Sequence, residues 1–306
     1  MMRRAVAVAA AMLLASSAAA QSPRQLQIAI TVDDLPVHGS YPAGVTPRQV
    51  SNEMLAALKA HHVPATGFVN AVKVQDEPDT QRVLRDWRDA GMLLGNHTWS
   101  HRHLSEMTLA EFEQEVTKNE PTLAGLGGRS DWRWLRYPFL DEGKDAQQRA
   151  AAREILAKHG YRVAAVSLSF GDWQWTAPYA RCASAHDKRA VAELERMYMA
   201  AAREDLQVSR DAAHKLFGRD VPLVLLMHVS AMSARMMPQV IQLYRGAGAR
   251  FVTLAQAERD PVYRSYTDLS LPAPPSPQEL AQNKGVKLTR HTDYSARLDA
   301  MCPAAH

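Results

Sequence analysis

Two adjacent aspartates, Asp33 and Asp34, close an apolar run that reads LQIAITVDD. Neighbouring carboxylates diverge, so one can ligate a metal while the other meets a water beside it. The commoner use of Asp after a strand is to cap the turn that follows. His97 and His101 stand four apart in NHTWSH, a spacing that lets two imidazoles meet one ion on a helical turn. With Asp34 they make an Asp-His-His set suited to zinc with open positions for water and substrate. Oxidising iron enzymes use the same donor types. His103, close by, reads as a surface side chain. Arg136 in LRYPF is placed to pair with one aspartate and keep it ionised. Asp172 follows in FGDWQW, and His228 ends LLMH. An imidazole at the mouth of an apolar strand can give or take a proton near neutral pH. Trp173 and Trp175 are either core aromatics or a wall for a sugar ring.

These groups need a scaffold that collects them. Seven short apolar runs, at 26–32, 65–69, 92–95, 132–137, 162–168, 223–227 and 250–254, alternate with helical patterns. Thr46-Pro47 opens a helix reaching about Ala60, with proline at the favoured first position. Thr108 and Glu111 have the spacing of a capping box. The helical pattern from Asp187 to Phe217 is longer than a crossover needs and reads as an insertion or a broken pair. Alternation of strand and helix implies parallel pairing, in an imperfect closed barrel or a doubly wound sheet. Such folds gather functional groups at the C-terminal ends of strands, where all of these residues fall.

The chain has 306 residues, 46% hydrophobic and 22% charged, with a formal charge of +4. That composition is globular and excludes fibrous and wholly disordered classes. The charges form no run, so no nucleic-acid footprint is expected. Arg3 and Arg4, an apolar run and SSAAA before Gln21 have the order of a secretory signal, with cleavage after Ala20. The run is shorter than a spanning helix needs, so the mature protein is expected to be periplasmic or secreted, with no stable membrane span. An oxidising compartment permits a bridge between Cys182 and Cys302. Two unpaired thiols are the alternative. Residues 261–306 begin with a Pro-rich stretch and read as a surface tail.

In order, TVDD, HTWSH, RYPF, GDW and LMH resemble the five signature motifs of the polysaccharide deacetylase family, the NodB-homology carbohydrate esterases. The resemblance runs from about residue 28 to 254. It implies an α/β fold, an imperfect (β/α)7-type barrel in one catalytic domain over 21–260, and removal of acetyl groups from a glycan or amino sugar. It further implies that Asp34, His97 and His101 hold Zn2+ or another divalent transition metal, with Asp33 as the base that activates the metal's water. Arg136 would tune Asp33, and the Phe139 backbone N–H would meet the oxyanion. His228 would protonate the leaving group, with Trp173 lining the groove. Three positions depart from the pattern. Leu35-Pro36 replace a glycine, Phe139 stands where Tyr is frequent, and Ser169 replaces an Asp; if that Asp tunes the motif-five histidine, Asp172 is the candidate substitute beside His228. Rival readings are an amidase on a small non-sugar amide or cyclic ureide, and a glycan-binding protein with little catalysis.

Overall fold

The computed structural model describes residues 25–75, 79–126 and 131–303. The expected signal segment and its cleavage point lie outside the described residues. The elements run β1 (Gln27–Leu35), α1 (Pro47–Ala60), β2 (Ala65–Val69), α2 (Val72–Gln75), α3 (Thr80–Asp89), β3 (Leu93–Asn96), α4 (Leu109–Gly125), β4 (Trp134–Leu135), α5 (Ala146–Lys158), β5 (Arg162–Val163), α6 (Thr176–Ser184), α7 (Lys188–Phe217), β6 (Leu223–His228), α8 (Ala231–Gly246) and β7 (Arg250–Phe251). Four short helices end the chain: α9 (Leu254–Ala257), α10 (Arg264–Thr267), α11 (Pro277–Asn283) and α12 (Ser295–Asp299).

All strand pairs are parallel, in the order β5-β4-β3-β2-β1-β6, with β7 beside β1. The chain after β5 leaves β4 and reaches the far edge of the sheet. There Leu168 bridges Leu225, and the N–H of Leu226 donates to the carbonyl of Leu168 at 3.0 Å. That contact curls the sheet round on itself into an imperfect (β/α) barrel.

Local chemistry explains the elements. Thr46 and Gln49 cap α1 reciprocally, and Thr108 and Glu111 do the same for α4. The segment expected to be an insertion or a broken pair is one unbroken helix of 30 residues, capped by Asp187 and stopped by Gly218 at φ 70°. Along β1, Ile28, Ile30 and Val32 join the main core with Met54, Leu58 and Trp87. By the two-residue period of a strand, Ala29, Thr31 and Asp33 face the other way, and Ala29 packs with Phe68, Trp134 and Val224. Gly95 is required here. A Cβ on it would sit 2.7 Å from the Phe68 ring and 2.8 Å from the Trp134 carbonyl.

Three expected strands are shorter than their apolar runs, ending at Leu135, Val163 and Phe251. For β5 the reason is visible. The carbonyls of Ala164 and Ala165 accept from the Arg136 guanidinium, and the Ala165 N–H donates to Glu258. Side chains take those three groups, while the Ala164 N–H still donates to the Leu135 carbonyl of β4 at 2.8 Å. The C-terminal segment is packed rather than loose, with Tyr263, Ala281 and Leu298 buried. Cys182 in α6 is bonded to Cys302, with Cα atoms 5.3 Å apart. Among the described residues no helix is long and apolar enough to cross a membrane.

Candidate active site

The aspartates lie within β1 rather than after it. Asp33 is in register with His228 of β6. Between Val32 and Leu35 the register with β2 shifts, and Asp34 takes φ 69°. This bulge cancels the usual alternation, so both adjacent carboxylates reach one rim. His97 directly follows β3. The expectation that His97 and His101 share a helical turn fails, because a loop with Thr98 at φ 61° and His101 at φ 57° brings them together. Their rings lie 4.9 Å apart. Phe139 and Leu140, at φ 56° and 55°, add two more left-handed residues. Such backbones cost roughly 1–3 kcal/mol each and cluster where function demands a particular geometry.

Ligand atoms of Asp34, His97 and His101 all lie within 4.8 Å of one another. Asp34 Oδ1 is buried and accepts no hydrogen bond. Around it lie His101 Nε2 at 3.2 Å, Lys73 Nζ at 3.4 Å and His97 Nε2 at 3.7 Å. His97 Nδ1 donates to the Arg136 carbonyl at 2.7 Å. Burial holds this imidazole well below its usual pKa, so the ring is neutral and Nε2 carries a lone pair. Burial lowers His101 as well. Burial would raise Asp34, but the hydrogen bond from His38 and the charge of Lys73 outweigh it and hold the carboxyl well below its usual range. A neutral imidazole pair and an ionised, unsatisfied carboxylate oxygen make a donor set that fits a divalent metal.

Asp33 differs from its neighbour. Burial pushes its carboxyl up to about 6 against the opposing charges of Arg136 and His228. Its Oδ1 has no partner, while Oδ2 is 3.5 Å from Arg136 Nη1. Arg136 is fully buried. It donates to Thr31 Oγ1 at 3.0 Å, Ala164 O at 3.1 Å and Ala165 O at 3.2 Å, over the Phe68 ring at 5.0 Å. Its grip on the barrel wall is thus tighter than its grip on Asp33. Across the rim, buried Asp172 accepts from His228 Nδ1 at 2.8 Å, from the His228 backbone N–H at 2.8 Å and from Ser233 Oγ at 2.6 Å. Burial would lower His228, but the Asp172 carboxylate outweighs it and raises the imidazole to about 9. Asp172 is therefore the carboxylate that partners His228.

Of the remaining expected residues, Phe139 is exposed at the rim, with its ring stacked on His103 at 3.7 Å. His103 pairs with Asp141 and stands apart from the donor set. Trp173 is 53% exposed, whereas Trp175 is buried. Sequence reasoning passed over His38, whose Nδ1 contacts Asp34 Oδ2 and whose ring lies 4.6 Å from His228. A histidine four residues past the aspartates was the available signal. Ser233, Asn70 and Glu258 were also passed over. Asn70 donates to the His97 carbonyl at 2.5 Å, and burial raises Glu258 to about 8. No local spacing announces those three, because their partners are remote in the chain.

Residues 20–164 match a family model described as polysaccharide deacetylase. The peptidoglycan-N-acetylmuramic acid deacetylase PdaA of Bacillus subtilis is 28% identical over 138 residues, 44% of this chain and 46% of that protein. A peptidoglycan-N-acetylglucosamine deacetylase of Bacillus cereus is 28% identical over 113 residues, 37% of this chain and 36% of that protein. The matches thus span half or less of these relatives' own length. Among solved structures, the chitin deacetylase of the fungal pathogen Colletotrichum lindemuthianum aligns with TM-score 0.55 at 20% identity, over 77% of this chain and 90% of that one. A CE4 family pseudoenzyme from Bacillus anthracis aligns with TM-score 0.53 at 15% identity, over 77% and 66%. These two likenesses concern the fold.

Proposed function

The chain belongs to the polysaccharide deacetylase family through residues 20–164, and from that premise we propose that it is an exported, metal-dependent hydrolase removing acetyl groups from a glycan or amino sugar. The observation that carries this reading is the contrast between the adjacent carboxylates. Asp34 is ionised and faces two neutral imidazoles, while Asp33 is raised to about 6 with an unpartnered oxygen. One is built to ligate, the other to take a proton.

Asp34, His97 and His101 would hold the metal, zinc by the chemistry of one carboxylate and two imidazoles. Such an ion, when bound, polarises an acyl carbonyl and lowers the pKa of water. Asp33 accepts the proton of the attacking water at Oδ1, its proton affinity lying close to the working pH. Arg136 keeps Asp33 ionised and aimed from inside the barrel. His228, held by Asp172 through Nδ1, presents Nε2 to the leaving nitrogen or oxygen and protonates it. The backbone N–H of Phe139 is assigned to the developing oxyanion, and Trp173 to the wall along the sugar.

Acetate release from N- and O-acetylated glycans tests the proposal, using chelator-stripped protein lacking residues 1–20, with and without zinc. Zinc-dependent release that disappears in Asp33→Asn is the expected result. Zinc binding without acetate release from any substrate would overturn it.

A further inference from the structure

The catalytic rim continues into a cleft of about 420 Å³ lined by His38, Trp173, Gln174, Arg181, Leu298 and Asp299. This lies within the roughly 300–1,000 Å³ of small-ligand sites. His38 joins the cleft to the metal-ligating set, since its Nδ1 contacts Asp34 and Nε2 is its other ring nitrogen. Trp173, next to Asp172 in the chain, supplies an exposed aromatic face. A second part of the lining comes from α12, more than a hundred residues later and beyond the 20–164 family match.

That wall is fastened along its length. Leu298 is buried in the main core, and the Tyr294 ring lies 5.5 Å from Trp175. Arg181 Nε and Nη2 each donate at 3.0 Å, to the carbonyls of Cys302 and Met301. Thr292 donates through its N–H and Oγ1 to Glu204 at 3.0 and 2.8 Å. The Cys182–Cys302 bond closes the strap covalently. Trp173 and α12 thus line one cleft, and the strap fastens α12 beside the turn that carries Trp173. The polar groups within it, His38, Gln174, Arg181 and Asp299, offer both donors and acceptors.

We propose that this cleft is a subsite for the pyranose unit next to the one being deacylated, and that the disulfide-fastened C-terminal strap is its second wall. The sugar ring stacks on Trp173, its hydroxyls meet the polar groups, and the strap confines it. The inference rests on the glycan deacetylase reading. It adds that this chain discriminates by substrate length, and that an oxidised Cys182–Cys302 pair is needed for that discrimination.

The test uses the zinc-loaded chain in an Asp33→Asn background, titrated calorimetrically with N-acetylglucosamine and its β-1,4-linked tetramer. The tetramer is expected to bind about ten-fold more tightly, the yield of one stacked aromatic contact. Ser295→Trp, which fills the cleft and leaves the disulfide intact, should bring that ratio close to one. Cys182→Ala/Cys302→Ala on an active Asp33 background should lose preference for the tetramer in acetate release. Its hydrolysis of p-nitrophenyl acetate, too small to reach the cleft, should persist. If this pair loses the small ester as well, unfolding accounts for it and Ser295→Trp decides. A ratio unchanged by Ser295→Trp, or a parent that binds both probes equally, overturns the subsite and leaves the deacetylase reading standing. Absence of binding to both probes together with absence of acetate release from any glycan overturns that reading, and the subsite with it.

Discussion

Asp172→Asn isolates the proposed acid. The substitution keeps side-chain volume and removes one buried charge. In the native site Asp172 accepts three hydrogen bonds, two of them from His228, and its carboxylate raises His228 to about 9 against the lowering effect of burial. With the charge gone, burial is opposed only by the Asp33 and Asp34 carboxylates, and the imidazolium falls from about 9 toward its ordinary value near 6.5. A fall of about 2.5 units corresponds to roughly 3 kcal/mol and leaves about a quarter of the ring protonated at pH 7. The new amide also donates to Nδ1, which pins the single proton on Nε2 of a neutral ring, a poor acid. General acid catalysis contributes roughly 10²–10⁴-fold, so kcat/KM on an N-acetyl glycan should fall by that range. An aryl acetate, whose leaving group needs no proton, should lose less than about ten-fold. Stability carries a matching signature. Because the folded pKa of His228 is raised, the pair's contribution is present below about 6.5 and is lost as pH rises through about 9. The variant should show none of that decline. Equal losses on both substrates, or a nearly unchanged glycan rate in a folded variant, would refute the reasoning.

Further outcomes follow from other parts of the molecule. His97→Ala removes a buried neutral donor and should reduce zinc binding, measured by calorimetry on chelator-stripped protein, by at least about ten-fold. Glu258 is raised to about 8 by burial, so its contribution is lost as pH rises from the ordinary carboxylate range through 8. Between pH 5.5 and 8 that is on the order of 3 kcal/mol of declining urea stability, and Glu258→Gln should flatten it. Replacing Cys182 and Cys302 opens a link with sequence separation 120 and should cost about 4–5 kcal/mol in chemical denaturation. Gly95→Ala drives a methyl into Phe68 and the Trp134 carbonyl and should cost about 1–3 kcal/mol with little change in zinc affinity.

The seven strands, their parallel sense and the rim where chemistry collects were legible in the sequence. So were the helix starts at Pro47 and Leu109, because capping depends on residues three apart. The ends of β4 and β5 were not. Apolar runs continue through 137 and 168, and the β5 ladder stops where Arg136 and Glu258 take over the backbone groups of Ala164 and Ala165. The spacing of His97 and His101 was correct as a pair and wrong as a helix, since left-handed loop residues do the turning. The long helical pattern before Phe217 was visible, but whether it broke was not, because an unbroken helix depends on the face it buries against α8 and the core.

By itself the sequence determined which side chains could ligate, take or give protons, and that they fall at strand ends. Side-chain chemistry is intrinsic to each residue, and strand and capping periods are local. Tertiary structure alone decided which groups meet. Only closure of the barrel sets His228 on Asp172 and Arg136 among the carbonyls of Ala164 and Ala165. Only the returning C-terminal strap unites Cys182 with Cys302 and brings Asp299 into the cleft that Trp173 lines. Those partners are dozens to more than a hundred residues apart, and their pairing depends on the closed sheet and its packed helices rather than on any spacing along the chain.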